Sequence, residues 1–79
     1  MVSIYSYGGI QIYVYPNDHG DPHCHVYFDE CEIKIFLPSY RVQILSERSP
    51  SISDISKVIE LVKQERNAIG KTWRKYHGN

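Results

Sequence analysis

Residues 17 to 25, Asn-Asp-His-Gly-Asp-Pro-His-Cys-His, gather three of the chain's four histidines beside two aspartates and a cysteine. His23 and His25 form an H-x-H pair. On an extended strand, residues two apart point to the same side with backbones about 6.5 to 7 Å apart, so the two imidazoles can converge on one ion. His19, in the preceding loop, can add a third nitrogen. Asp18, Asp21 or Asp29 can add an oxygen or fix an imidazole tautomer from behind. Neutral imidazoles with an open coordination position suit zinc or a similar divalent metal, which lowers the pKa of a bound water. The metal candidates are therefore His19, His23, His25 and Asp18.

Two other readings fit the same residues. Without a metal, His23 and His25 could act as general base and general acid, with Tyr27, Lys34 or Arg41 steadying a phosphate. That is the minimum set for cleaving RNA through its 2′-hydroxyl. Alternatively, the segment is a structured loop in which the carboxylates accept backbone N–H bonds, Gly20 turns left-handed and Pro22 fixes the strand entry. Spacing alone leaves all three readings open.

The elements that must carry these side chains are legible from pattern. Runs at 2–7 and 10–15 flank Gly8-Gly9, a two-residue loop suited to a tight hairpin. Further strands are expected at 23–29, 31–37 and 40–45, with Asn17 to Pro22 as a loop and Pro38-Ser39 as a turn. A helical segment should start after Ser51 or Ser53, with Asp54 against the positive end of its dipole. Ile55, Val58, Ile59, Val62, Ile69, Trp73 and Tyr76 then recur at helical spacing, and Gly70 marks an expected kink or break. The reading is one α+β domain over residues 1–79: an antiparallel sheet of four to five strands (roughly 2–45) with a C-terminal helical segment (roughly 52–76) on one face.

Alternation within the strands sorts the side chains into two faces. Val2 and Ile4, then Ile10, Ile12 and Val14, then Cys24, Val26 and Phe28, then Cys31, Ile33, Ile35 and Leu37, and finally Val42 and Ile44 form the apolar parity expected to face the helix. The opposite parity holds Tyr5, Tyr7, Tyr13, Tyr15, His23, His25 and Tyr27. Phenol rings combine flat stacking surfaces with hydrogen-bonding tips, the chemistry of protein interfaces. Tyr5, Tyr13, Tyr15 and Tyr27 are accordingly expected to form a partner-binding face, with plain sheet surface as the alternative.

Composition narrows the classes. A chain of 79 residues buries only about 60 to 65% of its unfolded surface, a deficit that a homodimer, a partner or a bound ion would relieve. Net charge is zero, which argues against a generic basic nucleic-acid binder, yet residues 1–50 carry −3 and residues 51–79 carry +3. The sequence shows neither a secretory leader nor an apolar run near the roughly 18 to 20 residues that span a bilayer. The expectation is a cytoplasmic chain, not associated with membrane, in which Cys24 and Cys31 are free thiols.

The stretch IYVYPNDHGDPHCHVYFDECEIKI, followed by a helix ending ERNAIGKTWRKY, resembles a bacterial family catalogued as domain of unknown function 4160. The family pattern Y-x-N/D-D-H-x-P-P-H-F-H is matched by Tyr15, Asn17, Asp18, His19, Pro22, His23 and His25, and its helix tryptophan by Trp73. Asp21 replaces the usual proline and Cys24 the usual phenylalanine. The resemblance implies a component of a toxin–antitoxin-type pair, with a small protein partner encoded nearby. Such a component would be a toxin acting on RNA through the histidine cluster, or a binding module docking its partner on the tyrosine face.

Overall fold

A computed structural model describes residues 1–78. It contains β1 (Val2–Tyr7), β2 (Ile10–Val14), β3 (His23–Phe28), β4 (Cys31–Phe36) and β5 (Val42–Ile44), then α1 (Ile52–Gln64) and α2 (Arg66–His77). The five strands form one antiparallel meander in sequence order, so the fold is a small α+β domain as the pattern implies. None of its described helices is long and apolar enough to cross a membrane.

Turn chemistry fixes the register. Gly8 and Gly9 both adopt positive φ, at 62° and 81°, as the two-residue β1–β2 hairpin requires. The β3–β4 hairpin makes the same demand of Asp29 and Glu30, at 47° and 61°. From these turns, Val26 pairs with Ile12 and Ile33, and Cys24 with Ile35, which puts one aliphatic row against the helices. Ile12, Val14, Cys24, Val26, Phe28, Ile33 and Ile35 meet Val58 and Val62 of α1 and Ile69 and Trp73 of α2 in a single core.

Two expectations are corrected. The register moves from Ser3 opposite Tyr13 to Tyr5 opposite Ile12, leaving Ile4 as the extra residue of a bulge. A bulge reverses the alternation beyond it, so Tyr5 and Tyr7 share the side of Ile12 and Ile10, and Tyr5 packs against the core. The helical segment divides at Glu65 (φ −97°, ψ 8°) and runs unbroken through Gly70. Glycine weakens a helix without forcing a break, and Ile69 and Trp73, buried on either side of Gly70, anchor this stretch to the sheet. The helix start follows expectation: the Ser51 hydroxyl accepts from the Asp54 N–H at 3.1 Å.

Candidate metal centre

Three side chains reach one point from two neighbouring segments. Asp18 projects from the loop between β2 and β3, where its N–H donates to the Tyr15 carbonyl at 3.1 Å. The loop turns at Gly20 (φ 91°), and the Pro22 carbonyl accepts from Leu37 N–H at 2.9 Å, pinning the entry to β3. Strand alternation then directs His23 and His25 away from Cys24, to the face that also holds Tyr13, Lys34 and Phe36.

Asp18 Oδ2 lies 2.8 Å from His23 Nε2 and 2.9 Å from His25 Nε2. His23 Nδ1 is 2.8 Å from the Asp21 carbonyl oxygen. A carbonyl only accepts, so Nδ1 carries a proton and donates it. Burial pushes the Asp18 carboxyl up, but hydrogen bonds to His25 and His23 and the charges of both rings outweigh it. The net direction is below the ordinary aspartate value, and Asp18 is a carboxylate. His25 Nδ1 is buried without a hydrogen-bond partner, and Glu32 Oε2 stands 3.7 Å from it. Three of the four ring nitrogens of the two imidazoles therefore meet oxygen acceptors, and His25 Nδ1 does not.

His23 and His25 are only 2% and 7% exposed. His23, with Nδ1–H on a backbone carbonyl and Nε2 toward a carboxylate, has the arrangement of a metal-bound histidine, whose outer N–H donates to an oxygen. The three ligand atoms lie within 4.8 Å of one another. Around a tetrahedral ion with bonds of about 2.0 to 2.1 Å, neighbouring ligand atoms stand about 3.3 Å apart. Two of the separations, 2.8 and 2.9 Å, are shorter than this and the third extends up to 4.8 Å, so the carboxylate and the rings would both have to shift to take an ion.

An aromatic frame holds the rings. Tyr13 stacks on His25 at 5.4 Å and 14°, and the Tyr15 edge meets His25 at 4.8 Å. His23 lies between Trp73 at 4.9 Å and Phe36 at 5.8 Å. The Tyr13 hydroxyl donates to Glu32 Oε2 at 2.5 Å. Burial, followed by that bond to Glu32, pushes its pKa up, so it remains a donor and holds Glu32 beside His25.

The structure brings Asp18, His23 and His25 together, while His19 is exposed and lies outside that group. Tyr27 is 46% exposed and pairs with Glu32, two positions beyond His25. Tyr5, Tyr13, Tyr15 and Tyr27 do not share one open face: Tyr5 is on the core side and Tyr13 is 4% exposed. Asp21 contributes its carbonyl, and Asp29 pairs with Arg48 at 3.1 Å. Sequence reasoning missed Glu32 as the acid behind His25. Its signal was its parity in strand 31–37, which places it on the histidine face.

No curated protein and no solved structure matches the chain. The family model described as Domain of unknown function (DUF4160) matches residues 9–74, which include every residue of the centre, and the chain belongs to that family.

Proposed function

We propose that Asp18, His23 and His25 hold one divalent cation, zinc or an ion of similar preference, as the working centre of an RNA-cleaving toxin in a toxin–antitoxin pair. One observation carries the metal reading: His23 commits its Nδ1 proton to the Asp21 carbonyl and aims Nε2 at the Asp18 carboxylate. An ion there would activate a water for attack on a phosphodiester. Glu32, itself held by Tyr13, would fix the orientation of His25 from behind. Growth on induced expression, together with cleavage of single-stranded RNA by untagged protein, tests this reading. Both activities should disappear in Asp18→Asn and His25→Ala, and cleavage should stop with a chelator and return with added metal. Cleavage that persists in chelator but needs both histidines would favour acid–base chemistry by the rings alone.

A second reading has its own support. His23 is nearly sealed from solvent, while Tyr15 and Tyr27, on the histidine side of the sheet, are 36% and 46% exposed. Under this reading the chain is a binding module, the cluster is a structural brace, and the exposed tyrosines dock a small protein encoded nearby. Co-purification with the neighbouring gene product, compared with Tyr27→Ser and Tyr15→Ser, tests it. Weakened capture with no growth effect from either histidine would favour this reading over the toxin.

A further inference from the structure

A cavity of about 610 Å³ lies between the Asp18–Pro22 loop, the Leu37–Tyr40 turn and α2. That is within the roughly 300 to 1,000 Å³ of small-molecule sites. Asp18 belongs both to this cavity and to the histidine cluster, so the two adjoin. Its helical wall is cationic. Arg66, Gly70 and Arg74, spaced i, i+4 and i+8, share one face of α2 and all line the cavity. Neither arginine has a carboxylate within 4.0 Å among the described residues.

Gly70 explains how two charges separated by two turns can act together. A Cβ at position 70 would meet Arg74 Nη1 at 3.1 Å, so the Arg74 guanidinium lies folded back across the bare helix surface toward Arg66. This brings it to about one turn, some 5 to 6 Å along the axis, from the Arg66 backbone, a gap that a flexible arginine side chain spans. The rest of the lining suits an organic group attached to an anion. Leu37, Pro38 and Trp73 supply apolar surface and Asn67 a polar edge. His77 also lines the cavity; it stacks on Trp73 at 3.7 Å and directs Nδ1 to the Trp73 carbonyl at 2.9 Å. Its Nε2 is buried without a partner among the described residues.

We propose that this cavity binds a phosphate ester, with Arg66 and Arg74 on the phosphate and the Trp73–His77 wall beside its alcohol portion. Planar guanidinium forks match phosphate oxygens in geometry and charge. As the substrate subsite of a nuclease this rests on the proposed function, but phosphate capture needs no metal, and the test keeps the two apart.

The whole chain, isotopically labelled and held in chelator, is titrated with inorganic phosphate, adenosine 5′-monophosphate and adenosine while backbone and indole amide signals are followed. The monophosphate and inorganic phosphate should saturably shift the Gly70, Arg74 and Trp73 signals, with adenosine at least tenfold weaker. Arg66→Gln and Arg74→Gln should each weaken the monophosphate about tenfold at unchanged Tm. Gly70→Ala should weaken it several-fold even though alanine is the better helix former. Adenosine binding as tightly as its monophosphate, or affinity unchanged in both arginine variants, overturns the proposal. Because no metal is present, loss of the metal reading leaves these outcomes intact, and their failure leaves the metal reading standing.

Discussion

Along β3, Cys24, Val26 and Phe28 point into the core while His23 and His25 alternate to the other side, where the His23 ring at the strand end still meets Trp73 of α2, and all five are buried. On the helix side, burial itself is the driving force, about 1.5 to 3 kcal/mol for a side chain the size of valine or phenylalanine. On the other side burial is a cost, because an imidazole nitrogen removed from water must find a partner. That side is held by Asp18, the Asp21 carbonyl, Glu32 and a wall of aromatic rings. An apolar pair at positions 23 and 25 would satisfy packing with less difficulty. Retaining two imidazoles and a carboxylate in such a place makes sense if the place performs chemistry.

The largest expected effect tests the helix side. Cys24→Asp should destabilise the fold by several kcal/mol, because it buries an unpaired charge in the core. Cys24→Phe should be far milder if neighbouring side chains make room. Burial pushes the Cys24 thiol up to about 12. Folding therefore favours the neutral thiol, and its contribution is lost as pH rises above the ordinary value of 9.0 toward 12. Thermal unfolding of both variants, with wild type scanned across alkaline pH, checks this. Near-wild-type melting of Cys24→Asp would erase the distinction between the two sides.

The next effect belongs to the histidine side. Asp18→Asn should cost about 1 to 3 kcal/mol, since it removes the charged acceptor of two buried ring nitrogens. The folded Asp18 carboxyl is depressed, so its contribution is fully present above the ordinary value of 3.8 and is lost as pH falls through the lower folded value. Stability of wild type and variant measured against pH should show a gap at neutrality that closes in acid. A gap that stays constant into strong acid would mean the pairing contributes nothing.

The smallest effect sharpens the contrast by its absence. His19→Ala should change stability by less than about 0.5 kcal/mol, as surface substitutions do, and leave metal affinity unchanged. Thermal unfolding and calorimetric titration of the variant check the two in turn. A tenfold loss of affinity would return His19 to the ligand set.

Much of this was legible because it depends on local rules. Gly8-Gly9 announces a hairpin, Ser51 a helix start, and the H-x-H spacing a shared face for His23 and His25. What escaped depends on longer-range contacts. The bulge at Ile4 reverses the parity of Tyr5 and Tyr7, and nothing in VSIYSY marks it. The helix divides at Glu65 rather than Gly70 because core contacts of Ile69 and Trp73 override local propensity. Loop geometry chose Asp18 over His19 as the third arm of the cluster, and adjacent residues on a turn carry no periodicity from which to foresee it.

Calorimetric titration of untagged, metal-stripped protein with zinc at neutral pH tests the central claim most directly. The account predicts one ion per chain and loss of at least tenfold in affinity in Asp18→Asn and His25→Ala. Zinc binding no tighter to wild type than to the Asp18→Asn, His25→Ala double variant would contradict it, leaving the cluster as a hydrogen-bonded structural brace.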